Sequence, residues 1–211
     1  MLTSFMRRKP IRNAAMAAYV HIVAQAREPV FFTDYGVPDT LDGRYELICL
    51  HAFIYLHRLR ELRPGSAALS QAVFDTMFGD LDRSLRELGT GDLSVGRHVK
   101  RMARGFYGRI HAYQDGIARG DAQLAAALVR NLYGTVGRGT VGRGTVGQGT
   151  LGEGTVAGPK AGIGEMTRYV RRAVAELARQ SAADLLTGRI RFPVLSTERP
   201  VAAGAAASAA G

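Results

Sequence analysis

The 211-residue chain carries 28 Lys and Arg against 18 Asp and Glu, a formal net charge of +10, with 46% apolar and 22% charged residues. Apart from its charge that is an ordinary globular balance, and the charge favours anionic partners (nucleic acid, anionic lipid, acidic protein) without choosing among them. The single cysteine, Cys49, excludes an internal disulfide and a multi-cysteine metal site, and the longest uncharged apolar run, Leu47 to Leu56, is about half of the ~20 residues that a membrane-spanning helix needs.

Residues 1–10 read as a basic lead ending at Pro10, with Arg7, Arg8 and Lys9 inside it and Arg12 just beyond. Such a cluster is either a solvated terminus or an electrostatic attraction to an anionic membrane surface, worth ~1 kcal/mol per basic residue close to it. No secretory pattern follows, because Arg12, Asn13 and His21 interrupt the apolar residues from Ile11 to Val23. A soluble or peripheral protein is expected. Ile11 to about Arg27 predicts a helix with Ala15, Ala18, Tyr19, Ile22 and Val23 on one side.

Pro29, Gly36 and Pro38 mark residues 29–40 as a connecting loop, in which Phe31, Phe32 and Tyr35 are expected to pack onto the helices. Asp39 is the expected N-cap of the next helix, about Leu41 to Arg63, with Asp42 in its first turn. Between Leu47 and Leu56 that helix is apolar nearly all round, which places it at the centre of a bundle. Cys49 lies in this run and is read as a buried, inert thiol. His51 and His57 are six apart and so fall on different faces, whereas ligands on adjacent turns need a spacing of three or four. Both are read as structural, and no metal site is assigned.

From Phe74 to Tyr113 the pattern predicts two amphipathic helices joined by a tight glycine turn. At about 100° per residue, Phe74, Met77, Phe78, Leu81, Leu85 and Leu88 share one stripe of the first helix. Asp75, Asp80 and Asp82 lie off that stripe, as solubilising charges rather than an acid–base or metal constellation. Gly89 stands where a helix takes a left-handed C′ residue, and Ser94 is the expected cap of the second helix. There Val95, Val99, Met102, Phe106, Ile110 and Tyr113 oppose Arg97, Lys100, Arg101 and Arg104. The result is a helical hairpin with an apolar seam and a basic outer face, either solvated or a contact for acidic lipid, RNA or an acidic partner.

This hairpin also carries a family pattern. Phe74-Asp75, Met77-Phe78, Asp80, Asp82-Arg83, Leu85-Arg86-Glu87, Gly89, Gly91-Asp92-Leu93, Val95-Gly96, Lys100-Arg101-Met102 and Phe106-Tyr107-Gly108-Arg109 together resemble the ubiquinol–cytochrome c chaperone family. Upstream, Gly36-Val37-Pro38-Asp39-Thr40 and Asp42-Gly43-Arg44 fit the same pattern, as does Arg130-Asn131-Leu132-Tyr133-Gly134 downstream. The resemblance spans roughly residues 15–134, with a weaker continuation over 166–193. It implies an assembly factor of the respiratory ubiquinol–cytochrome c reductase, acting on newly made cytochrome b, in bacteria from the cytoplasmic side of the inner membrane. It implies no catalytic constellation, and no Ser–His–Asp, Cys–His or paired-carboxylate arrangement stands out, so neither an enzyme activity, a cofactor nor a small-molecule substrate is expected. For such a role Met77, Phe78, Met102 and Phe106, with Met166 further on, could offer adaptable apolar contact to a client. Arg97, Lys100, Arg101 and Arg104 could hold the protein near anionic lipid or the ribosome. A basic helical module that uses those four cations on nucleic-acid phosphates is the alternative reading.

Asp121 is expected to cap a short helix carrying Leu124, Leu128, Val129 and Leu132. Residues 134–163 then hold a glycine-rich pentapeptide repeat, GTVGR, GTVGR, GTVGQ, GTLGE, GTVAG, read as a flexible linker. Its windows match the G-x-G-x-x-G fingerprint, as at Gly137 to Gly142, but no strand precedes them and the repeat itself generates the match, so no nucleotide site is assigned. Helix returns at about Gly164 to Ser181, with Met166, Val170, Ala173, Val174 and Leu177 opposite Arg168, Arg171, Arg172 and Arg179. Phe192-Pro193 closes the segment 164–193, which is expected to pack back on the main helical part, residues 11–133. Residues 194–211 read as a disordered Ala-rich tail. No stretch shows strand alternation, so the expected fold is an all-α, single-domain helical bundle.

Overall fold

The run from Leu47 to Ile54 has no polar side to turn outward except His51, and helix α3 (Leu41–Glu61) accordingly becomes the axis on which the other elements pack. The computed structural model describes residues 2–89, 91–134 and 159–195; most of the glycine repeat and nearly all of the Ala-rich tail lie outside them. Around α3 stand α1 (Leu2–Ala26), α2 (Val30–Thr33), α4 (Ala67–Glu87) and α5 (Asp92–Arg119). The shell is completed by α6 (Asp121–Leu128), which continues as one π turn over Val129–Tyr133, and by α7 (Pro159–Arg179) and α8 (Ala182–Leu186). Among the described residues all regular structure is helical and no strand occurs.

Leu47, Leu50, Phe53, Ile54 and Leu59 of α3 are fully buried. At roughly 1.5–3 kcal/mol per large apolar side chain, this one helix supplies a large part of the driving force for folding. Helices α1 and α4 pack on one another and on α3, α5 packs on α3, α4 and α6, and α7 lies across α3 and α6. Tyrosine hydroxyls cross the gaps between elements. Tyr19 donates to Asp80 Oδ2 at 2.9 Å, Tyr133 to the Tyr35 carbonyl at 2.7 Å and Tyr55 to the Leu185 carbonyl at 2.5 Å. The Gln180 side chain holds the backbone of Arg191 from both sides, donating to its carbonyl at 2.7 Å and accepting from its N–H at 3.0 Å.

Several local expectations shift. Helix α1 does not begin after Pro10 but runs through it from Leu2, at the cost of the one backbone bond that the missing N–H would make. Residues 29–40 are not wholly loop, since Val30–Thr33 make a short helix that drives Phe31 into the core. The N-cap of α3 is Thr40, whose hydroxyl accepts from the Gly43 N–H at 3.1 Å, while Asp39 is drawn off by Arg44 at 2.6 Å. Gly91, not Ser94, precedes α5, and Ser94 sits in the first turn donating to the Gly91 carbonyl at 2.7 Å. Likewise Gly120 caps α6 and Asp121 is its first residue, where a carboxylate favours the helix dipole. Helix α7 begins at Pro159, earlier than expected, because proline suits a first helical turn whose N–H has no partner to lose. Gly89 does take the expected left-handed conformation, with φ +81°.

Candidate functional site

The hairpin of α4 and α5 is the element to which the sequence assigns both family pattern and partner contact. Its inner seam forms as read: Met77, Phe78, Leu85, Val95, Met102, Phe106 and Tyr113 are buried, and Phe74, Leu81, Val99 and Ile110 half-buried. Leu88 departs from the stripe and is exposed, because it lies past the last turn of α4. The two helices share an aromatic contact in which Phe74 packs on Phe78 at 4.5 Å and Phe78 meets Phe106 edge-on at 5.9 Å.

That packing divides the eight residues expected to meet a partner. Met77, Phe78, Met102 and Phe106 are spent on the core, as is Met166, so contact with a client through most of them would require α4 and α5 to part. Arg97, Lys100, Arg101 and Arg104 all stand exposed on the outer face of α5. Arg101 donates to His98 Nδ1 at 2.7 Å, whereas Arg97, Lys100 and Arg104 have no acidic partner among the described residues. The basic face of α7 differs, because Arg168, Arg171 and Arg179 pair with Glu165, Asp121 and Glu176.

Beneath the hairpin lies an ion pair that the sequence reading missed. Glu46 on α3 is wholly buried, and the guanidinium of Arg109 on α5 meets both of its carboxylate oxygens. Burial pushes the Glu46 carboxyl above its ordinary range, and the hydrogen bonds from Arg109 pull it back part of the way. Tyr45 stacks beside the guanidinium at 5.9 Å and donates to the Met102 carbonyl at 3.4 Å, and burial pushes the neighbouring Cys49 thiol up, leaving it unreactive. A signal for the pair was present. Glu46 stands one and two turns before Leu50 and Phe53, and Arg109 stands between Phe106 and Tyr113, so each is a lone charge within an apolar stripe. Among the described residues no group of three or more His, Cys, Asp or Glu is placed to hold a metal ion.

On the other side of α3, His51 belongs to an aromatic cluster with Phe31, Tyr169 and Phe192. The Leu47 carbonyl can only accept, so the Nδ1 of His51 carries the hydrogen (2.7 Å) and Nε2 accepts from the Tyr169 hydroxyl, also at 2.7 Å. Burial lowers its pKa to about 4. His57 faces elsewhere, into an open cleft between α3, α4 and α5 that also takes in Arg60, Arg63, Phe74 and Tyr107.

A profile of the family described as ubiquinol-cytochrome C chaperone matches residues 33–192, most of the chain. The chain belongs to this family. Its similarity extends to the ubiquinol–cytochrome c reductase complex assembly factor 1 of Xenopus laevis, 28% identical over 122 residues that cover 58% of this chain and 61% of that protein. The mouse protein described in the same words is 24% identical over 191 residues, covering 90% of this chain and 58% of its own length. The chain thus spans about three fifths of these relatives. A crystal structure of the Cbp3 homolog from Brucella abortus superimposes with a TM-score of 0.69 at 36% identity, over 92% of this chain and 97% of that one. The family is one of chaperones, and the relatives are named as assembly factors. Among the described residues no helix is long and apolar enough to cross a membrane.

Proposed function

We propose that the chain serves the assembly of the ubiquinol–cytochrome c reductase by binding newly made cytochrome b at the cytoplasmic face of the inner membrane. Membership in the chaperone family carries the assembly role. The membrane-surface part rests on α5, where Arg97, Lys100 and Arg104 stand exposed with no acid to neutralise them. Exposed, unpaired cations keep their full attraction for an anionic leaflet, at ~1 kcal/mol each. The ribosome would be met by the same charges. A nucleic-acid module would use them too, but beside them on α5 only Tyr107 is a large exposed aromatic, which makes no row of stacking platforms for bases.

The test is a reduced-minus-oxidised spectrum of membranes from cells that lack the gene. Loss of the reductase's b-type and c-type haem signals, restored by the gene, is the expected result. An unchanged spectrum with normal reductase activity would overturn the assembly role.

A further inference from the structure

The cleft between α3, α4 and α5 opens to solvent. Its floor is apolar, with Phe53, Leu56 and Ile110, and on its wall Phe74 stacks on Tyr107 at 5.5 Å and 29°. Tyr107 is 52% exposed, one of the few large side chains of the described core helices left in that state. The charged residues of the lining are all basic. Arg60 and Arg63 reach it from the end of α3 and the turn that follows, and no Asp or Glu lines it. The nearest acid in sequence, Glu61, is taken by Arg58 at 2.7 Å, and neither Arg60 nor Arg63 has an acidic partner among the described residues. The Nδ1 of His57 is buried here without a hydrogen-bond partner. The buried, unpartnered ring nitrogen of His57 asks for an explanation, and an apolar floor beside an exposed aromatic wall and free guanidinium groups offers a ligand both apolar and charged contact.

Size narrows the occupant. The cleft measures about 200 Å³. That is below the ~300–1,000 Å³ usual for small-molecule sites, and somewhat above the ~150 Å³ that accommodates one benzene ring. It fits one aromatic or large aliphatic side chain. Arg60 at the end of α3 and Arg63 in the turn after it both line the cleft, so their guanidinium groups can grip carboxylates flanking that side chain.

We propose that this cleft is a peptide-docking site, holding an aromatic or large aliphatic side chain of a partner polypeptide whose adjacent residues carry carboxylates. The inference deepens the assembly reading and depends on it only for the expectation that a partner polypeptide exists. Arg104 lies one turn from Tyr107, so the cleft opens beside the basic face of α5, and a bound segment would leave toward it.

Two fluorescein-labelled 14-residue peptides, sharing the core Leu-Phe-Ile-Phe-Leu and flanked by glutamates in one and lysines in the other, provide the test by anisotropy with the full chain. The glutamate peptide is expected to bind at least ~10-fold tighter. Arg60→Glu/Arg63→Glu should abolish or reverse that preference, and Tyr107→Ala should weaken the glutamate peptide several-fold while Phe74 remains. All three positions are exposed or unpaired, so the variants should keep the thermal midpoint of the parent, which circular dichroism checks. Where Tyr107→Ala lowers it, the arginine variant alone decides. Equal binding of the two peptides, or an unchanged preference in Arg60→Glu/Arg63→Glu, would overturn the proposal. So would displacement of the glutamate peptide by a 20-nucleotide RNA through the same arginines, which would give the cleft to nucleic acid. The two readings fail separately: a normal haem spectrum without the gene sinks the assembly role alone, and equal peptide binding sinks the cleft alone.

Discussion

Replacing Arg109 with Leu removes one half of the buried pair and leaves the Glu46 carboxylate fully enclosed between α3 and α5. Stranding one charge of a buried pair costs roughly 3–5 kcal/mol, against a total stability on the order of 5–15 kcal/mol for a domain. Arg109→Leu should therefore unfold at a much lower urea concentration, followed by far-ultraviolet circular dichroism. Its pH dependence gives a second signature. Without Arg109 nothing offsets the burial that raises the Glu46 pKa, so the folded state takes up a proton more readily than the unfolded chain. The variant should accordingly gain stability relative to the parent as pH falls from 8 towards 5, and lose it again as pH rises. Glu46→Leu/Arg109→Met fills the same space without charges and should return to within about 1 kcal/mol of the parent or above it. An Arg109→Leu variant losing less than ~1 kcal/mol, or a double variant as unstable as the single one, would refute the view that Glu46 is desolvated and held only by Arg109.

His51 offers a pH test of the opposite sign. Its folded pKa of about 4 lies below the ordinary 6.5, so the stability that it contributes is full above pH 6.5 and is lost as pH falls towards 4, by roughly 3 kcal/mol at most; urea midpoints at pH 7.5 and 4.5, compared with those of His51→Phe, measure it. A Cβ on Gly43 would lie 2.0 Å from the Pro38 carbonyl, so Gly43→Ala must push the loop before α3 away and should cost ~2–3 kcal/mol, seen as a drop of roughly 5–10 °C in the thermal midpoint. Arg97→Ala/Lys100→Ala/Arg104→Ala should leave that midpoint unchanged and lower binding to vesicles containing anionic lipid by about 100-fold, at ~1 kcal/mol per charge; co-sedimentation with vesicles checks it, and retained binding would remove α5 from the membrane surface.

Much of this protein was legible in its sequence. The stripes of α4 and α5 follow from helical period alone, which is why Met102, Phe106 and Tyr113 are buried and Arg97, Lys100 and Arg104 are exposed. The all-round apolar face of α3 likewise required burial on every side. Those are local rules, since spacing along one helix determines which side chains share a face. Which neighbour covers a face is a long-range matter. The burial that periodicity foresaw for Met77, Phe78, Met102 and Phe106 is completed by α3, which closes the seam behind α4 and α5 and leaves only Phe106 of the four lining the cleft. Periodicity could not show Glu46 and Arg109 meeting across 63 positions, His51 reaching Tyr169 across 118, or Thr40 displacing Asp39 as a cap once Arg44 had claimed the carboxylate. The cleft has the same origin: it exists only where the end of α3, the first half of α4 and the middle of α5 bring Arg60, Phe74 and Tyr107 together. Residue spacing determined the helices and their faces, and only the packing of those faces decided which groups lost their water and which kept it.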